Sequence, residues 1–161
     1  MNMQHKSRGF SLIELMVVLI IAAILVAIAI PSFRNLIFNS RMTSAANGVV
    51  GAINYARMEA VKRGDEVRLG QRNGGWAGGM VVWADNDGDD TLDLDEEIRL
   101  WEAIPESSTI TSTQNDLVFN ALGRADNSSI FTLCDDRVGE MGRKIELLTS
   151  GVVSVDQELC N

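Results

Sequence analysis

The bond between Gly9 and Phe10 is the point in the sequence where specific cleavage would create new chemistry. Cutting it would free an α-amine at Phe10, about one helical turn from Glu14. Glu14 is the only charged residue between Phe10 and Ile30, and a carboxylate near the centre of an apolar span costs about 3 kcal/mol. When such helices bundle, the amine of one subunit and the carboxylate of its neighbour can neutralise each other and set the register. The alternative is a charge that is tolerated at the membrane edge.

The apolar segment 10–30 is long enough to cross a membrane. As a helix it would span about 32 Å, close to the ~30 Å hydrocarbon core of a bilayer. The basic leader, residues 1–9 with Lys6 and Arg8, is expected to stay on the cytoplasmic side. The cut precedes the apolar run, whereas an ordinary secretory signal is cut after it. The helix is therefore expected to remain as a single transmembrane segment.

The run from Gly9 to Leu15 (Gly-Phe-Ser-Leu-Ile-Glu-Leu), followed later by Pro31, resembles the class III signal of type IV pilins and pseudopilins. The resemblance implies that a membrane peptidase cuts after Gly9 and that the new N-terminus at Phe10 is methylated. It also implies that the apolar helix builds a filament, in which Glu14 orients the subunit against a neighbour.

A second helical segment follows the apolar one. Pro31 is expected to kink the helix, because proline removes a backbone hydrogen bond and clashes with the preceding turn. Beyond it, apolar residues recur at helical spacing on one face: Met42, Ala46, Val49, Ile53, Ala56 and Ala60. Gly64 is the expected C-terminal stop, so residues 31–64 continue the helix and residues 65–161 form the globular domain.

From residue 66 onward the apolar period changes to two, which is typical of strands. The predicted strands are Glu66–Leu69, Trp76–Ala84, Glu97–Ala103, Asp116–Asn120, Ser129–Cys134, Arg143–Thr149 and Val152–Asp156. They do not alternate with further long helices. We therefore expect an antiparallel sheet and an α+β fold in which the long N-terminal helix packs on the sheet.

The end of the helix and the strands after it resemble the GspH/FimT group of minor pilins and pseudopilins. The matching segments are Tyr55–Gly64 (Tyr-Ala-Arg-Met-Glu-Ala-Val-Lys-Arg-Gly), Val67, Trp76–Asp85, Glu97–Arg99 and Phe119–Gly123. In that group a helix with this ending precedes a strand, an acidic turn and a second strand. The resemblance implies a helix on two antiparallel sheets, and a minor subunit instead of the bulk pilin.

The acidic run from Asp85 to Glu97 is a candidate calcium loop. Its side chains at Asp85, Asp87, Asp89, Asp93 and Glu96 occupy positions 1, 3, 5, 9 and 12 of an EF-hand loop. Asp90 stands where that loop has glycine, and the flanks are predicted strands, which excludes an EF-hand. Because dense carboxylates repel each other unless a cation or solvent screens them, the run predicts either a calcium-binding hairpin loop or a solvated acidic one.

Cys134 and Cys160 are the two cysteines of the chain. A domain exported across the membrane meets an oxidising compartment, where paired cysteines usually join. A disulfide between them is therefore expected and would contribute about 2–4 kcal/mol, with two free thiols as the alternative.

Gly142-Arg143-Lys144 is the candidate nucleic-acid contact. In competence-linked members of the GspH/FimT group, a Gly-Arg-x-Arg signature near the C-terminus contributes to DNA binding. Here Ile145 takes the place of the second arginine, and Lys144 supplies only a displaced charge. The formal net charge of −8, which loss of the basic leader makes more negative, also argues against a general polyanion binder.

The three tryptophans, Trp76, Trp83 and Trp101, are expected to pack in the core, with Trp83 and Trp101 paired across the acidic hairpin. The alternative is an exposed aromatic patch that contacts another subunit.

Together these patterns predict a minor filament subunit and not an enzyme. The only histidine, His5, lies in the leader, and the sequence contains no nucleophile–base pair and no glycine-rich phosphate motif. The resemblance implies insertion in the inner membrane, a periplasmic globular domain and a final place at the tip of a type IV pilus. The implied partners are other pilins or pseudopilins, the prepilin peptidase, the assembly platform and the lipid bilayer. Two other machines use the same motifs: the pseudopilus of type II protein secretion and the DNA-uptake pilus of natural transformation.

Overall fold

The computed structural model describes residues 10–104, 107–137 and 139–160. The leader, with Gly9 and the candidate cleavage bond, lies outside these residues. The helix α1 runs from Leu12 to Arg63 and contains Pro31, where the kink stays a prediction. The chain divides after Asn39 into two compact units, so the first part of α1 belongs to one unit and the rest to the other.

The first unit presents the apolar part of α1. Its large apolar side chains are exposed along the whole segment, from Phe10 (75% exposed) to Ile30 (51% exposed). By length and composition α1 qualifies as a membrane-crossing helix. So many exposed apolar side chains are stable only when lipid or other helices cover them, as the sequence predicts.

The second part of α1 buries one face. The buried residues are Met42, Ala46, Val49, Ala52, Ile53, Ala56, Glu59 and Ala60, which include all six that were predicted from spacing. The helix ends at Arg63, and the next residue, Gly64, has a φ of 70° and donates its N–H to the carbonyl of Ala60 at 2.9 Å. Lys62 and Arg63 in the last turn complement the partial negative charge of the helix C-terminus. The predicted stop is confirmed.

Strands β1 to β8 follow α1. They are β1 (Val67–Arg72), β2 (Gly75–Trp83), β3 (Glu97–Trp101), β4 (Ser108–Ser112), β5 (Asp116–Phe119), β6 (Ser129–Asp135), β7 (Met141–Leu147) and β8 (Val153–Leu159). They form two four-stranded sheets with the orders β3-β2-β1-β5 and β4-β6-β7-β8. Neighbouring strands are antiparallel throughout both sheets. The α+β fold with two antiparallel sheets is confirmed.

The strand prediction differs from the structure at several ends: β1 and β8 each end three residues later than predicted, and β3 ends two residues earlier. The strand β4 was not predicted, because Ile110 is its only apolar residue. The strand predicted over Arg143–Thr149 extends too far, since Leu148 donates its N–H to the carbonyl of Val152 and Gly151 donates its N–H to the carbonyl of Leu148. These bonds close a turn. The strand β7 therefore ends before this turn, and β8 begins after it.

The core lies between the buried face of α1 and the two sheets. Trp76 packs edge-on against Phe131 with ring centroids 4.9 Å apart, and its Nε1 donates to the carbonyl of Gln114 at 3.0 Å. Trp83 is 6% exposed, so core packing is confirmed for both residues. Trp101 is half-buried, with its ring 5.5 Å from that of Tyr55.

The predicted pairing of Trp83 with Trp101 is wrong. Trp83 lies opposite Glu97, and Trp101 lies opposite Met80. Trp101 faces a residue three positions before Trp83, so the register itself separates the two indoles along the hairpin, and the shift between Val82 and Trp83 adds one position.

Candidate functional site

Phe10 and Glu14 lie at the start of α1. Phe10 is largely exposed, and Glu14 is an exposed acidic residue in the first helical turn. The unpaired N–H groups of a helix N-terminus carry partial positive charge, which favours a carboxylate at this place. Both residues that were predicted to act in assembly therefore lie on an open surface.

Arg57 of α1 contacts two turns of the sheets, one that contains Gly151 and one that contains Gly123. Its Nη1 donates a hydrogen bond to the carbonyl of Gly151 at 3.0 Å. Gly151 and Gly123 both have a positive φ, of 81° and 72°. A Cβ added to either glycine would lie 2.9–3.0 Å from Nε of Arg57, so only glycine allows both backbones to approach the guanidinium this closely.

Glu59 closes the last turn of α1. Although only 8% of this residue is exposed, its carboxylate accepts hydrogen bonds from Lys62 Nζ at 3.0 Å and Arg63 Nε at 3.2 Å. The hydrogen bond from Lys62 holds the pKa of Glu59 below its ordinary value, against the opposing effect of burial. Sequence analysis assigned no role to Arg57 or Glu59. The sequence signal that could have identified both residues is their position in the Ala-Arg-x-Glu-Ala-x-Lys-Arg-Gly pattern at the end of the helix, which resembles the GspH/FimT group.

The acidic loop, residues 84–96, joins β2 to β3 and gathers three of the predicted calcium ligands. Carboxylate oxygens of Asp85, Asp87 and Asp89 lie within 4.8 Å of one another. Such a group of oxygens suits calcium. The same carboxylates accept loop N–H groups: Asp85 accepts from Gly88 and Asp90, Asp87 from Asp89, and Asp89 from Thr91. The loop is thus shaped by its own hydrogen bonds, and calcium binding stays a prediction.

Asp93 and Glu96 are not part of this three-residue group. Glu96 is buried, and its carboxylate accepts N–H groups from Asn86 and Asp93, which braces the two sides of the loop. The N–H of Asp89 lowers the pKa of Asp87, but desolvation and the nearby carboxylates of Asp89, Glu96 and Asp85 raise it above its ordinary value overall. The loop therefore carries electrostatic repulsion that a cation would relieve.

Arg68 on β1 is a charged residue beside the acidic loop to which the sequence analysis assigned no role. Its guanidinium forms ion pairs with Asp90, with Glu66 at 3.2 Å, with Asp116 at 3.8 Å and with Asp85 at 4.0 Å. It also lies 5.4 Å from the ring centroid of Trp83, its cross-strand neighbour. Three of these acidic partners, Asp85, Asp90 and Asp116, are distant in sequence, so no local pattern indicates them. Arg68 is the internal counter-charge of the acidic loop.

The predicted disulfide between Cys134 and Cys160 is present, with Cα atoms 5.8 Å apart. It joins the end of β6 to the residue after β8 and passes over β7 between them. At the crossing point Gly142 faces the Leu133 carbonyl and both sulfur atoms, which leave no room for a Cβ. The glycine of the Gly142-Arg143-Lys144 segment thus has a packing role.

Arg143 and Lys144 do not form one basic site. As neighbours on β7 they point to opposite faces of the sheet. Arg143 donates from Nη2 to Oγ1 of Thr43 at 3.3 Å. Lys144 lies 3.9 Å from a Glu146 carboxylate oxygen and opposite Asp156 on β8. Each cation is therefore engaged within the protein.

Two family models match the chain. Residues 45–151 match the family described as type II transport protein GspH. Residues 4–30 match the prokaryotic N-terminal methylation motif. The matched ranges cover both the apolar part of α1 and most of the globular domain.

The chain is also similar to fimbrial and pilin proteins. The fimbrial protein EcpC of Eikenella corrodens is 35% identical over 89 residues, which are 51% of this chain and 58% of EcpC. The chain thus spans little more than half the length of that relative. Two crystal structures of the type IV minor pilin FimU of Pseudomonas aeruginosa, in space groups P21 and P65, superpose with TM-scores of 0.63 and 0.60. They are 18% and 19% identical, and the matches cover 73% and 71% of this chain and 90% and 91% of FimU. At such identity the likeness establishes the fold. With an N-terminal methylation motif, a pilin fold and a family match over most of the domain, the chain belongs to the GspH family of minor pilins and pseudopilins.

Proposed function

We propose that this protein is a minor subunit that inserts in the inner membrane and assembles into, or primes, a type IV pilus. The observation that carries the proposal is α1, which is apolar and exposed at one end and buries a face in the domain at the other. A helix of this kind both anchors the subunit in lipid and, after extraction, packs with other helices in a filament core. The globular domain would then face the periplasm and later the pilus tip.

Processing at the N-terminus belongs to this proposal. The prepilin peptidase would cut between Gly9 and Phe10 and methylate Phe10, and the freed amine would lie near Glu14 of α1. Neutralisation of Glu14 by the amine of a neighbouring subunit would set the register as the inner-membrane platform adds the subunit. The N-terminal methylation motif over residues 4–30 supports this sequence of events.

A pseudopilus of type II secretion is the second candidate. The family that matches residues 45–151 is described as type II transport protein GspH, which favours this candidate. The pilus is favoured by EcpC, a fimbrial protein, and by FimU, a type IV minor pilin.

Direct DNA binding during uptake is the least supported role. Arg143 and Lys144 point to opposite faces, and Lys144 is next to Glu146 and opposite Asp156. A mobility-shift assay near physiological salt tests it, because binding by dispersed cations would be lost there.

A clean deletion of the gene, complemented in trans, distinguishes the machines. Surface pili with twitching, secretion of exoproteins and natural transformation are scored in parallel. Lost pili with normal secretion support the pilus role, and blocked secretion with normal pili supports the pseudopilus role. Loss of transformation alone would overturn both. Complementation with Gly9→Val, which blocks cleavage, should fail in whichever assay the deletion affects.

A further inference from the structure

The strand β8 is an outer strand of the second sheet and pairs with β7 alone. Five of its seven residues are exposed. The opposite outer strand of this sheet, β4, has two buried positions among its five. Among the residues that the structure describes, β8 therefore offers an open edge and exposed side chains on both faces.

The backbone groups at this edge can be assigned from the turn hydrogen bonds. Cys160 donates its N–H to Glu140, and Val152 accepts the N–H of Leu148, so both bond toward β7. Bonding direction alternates along an antiparallel strand, and the pairing of β8 with β7 has no irregularity. The odd-numbered residues, Val153, Val155, Gln157 and Leu159, therefore direct their N–H and C=O groups outward. These groups are available to an additional strand.

The inner face of β8 is mostly apolar and incompletely covered: Val153, Val155 and Leu159 lie on it, with Gln157 opposite Arg143 between the last two. Val155 lies opposite the buried Ile145, yet it is 47% exposed. Leu159 and its partner Met141 are 58% and 43% exposed. A strand added at the edge would place alternate side chains beside these residues and remove their apolar surface from water.

The outer face of β8 is acidic. Asp156 and Glu158 lie on it, together with Glu146 of β7, and Lys144 is the one cation of β7 and β8 on that face. In the register centred on Asp156, an antiparallel second copy of β8 would place Asp156 opposite itself, and in the register centred on Gln157 it would place Asp156 opposite Glu158. Like charges directly opposite each other are destabilising, so the edge disfavours self-pairing.

We infer that the edge of β8 is a docking site for an extended segment of another protein in which basic and apolar residues alternate. The basic side chains would lie beside Asp156 and Glu158, and the apolar ones beside Val155 and Leu159. Main-chain hydrogen bonds to the outward groups would give affinity, and the charge pattern would give selectivity. The inference is independent of the proposed pilus role, because it rests on β8 alone.

The disulfide helps to hold β8 in place before a partner binds. Cys160 is held to Cys134 on β6, while all seven residues of β8 pair with β7. The edge is thus ordered before a partner arrives, which lowers the entropic cost of binding.

The test uses the full-length chain in detergent micelles and two blocked synthetic heptapeptides. One alternates lysine with valine and the other alternates glutamate with valine. The lysine peptide should bind saturably and slow amide exchange at Val155, Gln157 and Leu159, but not at the residues between them. The glutamate peptide should bind at least about fivefold more weakly.

Two double variants test whether the peptide recognises the edge of β8 or only the net negative charge of the protein. Asp156→Lys with Glu158→Lys should reverse the peptide preference, whereas Asp95→Lys with Glu97→Lys makes the same change in net charge and should preserve it. Gln157→Pro removes one outward N–H and spares the ladder to β7, so it should abolish binding without loss of folding. Equal effects of the two double variants, peptide protection on another strand, or the same amides protected at high protein concentration without peptide would each overturn the inference.

Discussion

Arg57 Nη1 and the carbonyl oxygen of Gly151 form a hydrogen bond of 3.0 Å between residues 94 positions apart. The bond joins α1 to the turn between β7 and β8, and Gly123 of a second turn packs against the same guanidinium. Three segments of the chain are therefore held by one side chain.

Arg57→Met should lower the free energy of unfolding by about 1–2 kcal/mol, because it keeps much of the apolar stem and leaves the Gly151 carbonyl without its donor. Gly151→Ala should cost about 2 kcal/mol or more, since alanine is strained at a φ of 81° and its Cβ would meet Gly123 and Arg57. Urea unfolding followed by tryptophan fluorescence measures both. Arg124→Met, on an exposed position of the neighbouring turn, is the control and should stay within about 0.5 kcal/mol of wild type.

Removal of the disulfide by Cys134→Ala with Cys160→Ala should lower the free energy of unfolding by about 2–4 kcal/mol. The loss arises mainly because the unfolded chain is no longer constrained. Reductant should destabilise the wild type by a similar amount and leave the double variant unchanged. A wild-type protein insensitive to reductant, after its loss of the disulfide is verified by intact mass, would contradict this prediction.

Asp135 should make the protein less stable in acid. Its side chain is 5% exposed, and Arg137 Nη2 lies 2.6 Å from its carboxylate. Burial raises the pKa of Asp135, but the hydrogen bonds and charge of Arg137 outweigh this and hold it below its ordinary value. A depressed pKa contributes stability above the unfolded value of about 4, and that contribution is lost as the pH falls through the folded value.

Asp135→Asn should therefore cost about 1–2 kcal/mol at pH 7, and the difference from wild type should shrink below pH ~4. Urea titrations across this range measure the effect. Asp136→Asn, at the exposed neighbouring position, is the control. A difference between Asp135→Asn and wild type that stays constant with pH would show that the ion pair is not responsible.

Calcium at millimolar concentration should raise the melting temperature by about 2–4 °C, because the ion would bind only the folded loop. The triple change Asp85→Asn, Asp87→Asn and Asp89→Asn should abolish the shift. Asp126→Asn, outside the loop, should retain it. If wild type melts at the same temperature in calcium and in chelator, the loop is a solvated acidic hairpin.

Glu14→Val should prevent incorporation into the filament while leaving the domain folded. The reason is that valine cannot neutralise the amine of a neighbouring subunit. Cross-linked filament fractions measure incorporation, and the melting temperature reports on folding. Ser11→Val changes another polar residue of the same segment and should assemble normally, whereas normal assembly of Glu14→Val would remove the role of this carboxylate.

The elements with strong local signals were predictable. The spacing of Met42, Val49 and Ile53 identified the buried face of α1, and Gly64 identified its end. The disulfide followed from two cysteines and the expectation that the domain is exported. These predictions succeed because the relevant physics acts between near neighbours or between the only available partners.

The features that were missed depend on tertiary contacts. Arg68 meets the acidic loop because β1 and β2 pair, and Arg57 meets Gly151 because two turns converge on α1. The apolar pattern cannot reveal β4, where a single isoleucine points inward. The register that places Trp101 opposite Met80, three positions before Trp83, is set across the whole hairpin, and no residue type marks it.

The order β3-β2-β1-β5 has a consequence for the time course of folding. β1 and β2 are joined by a short turn. In contrast, β1 and β5 are adjacent in the sheet although β2, β3 and β4 lie between them in the sequence. Pairings between distant segments form slowly, so β1 spends an interval with one edge open. During that interval Val67 and Leu69 are accessible to other unfolded chains, which is the condition under which strands aggregate. The docking of β5 against β1 is therefore the step at which folding of the first sheet competes with aggregation.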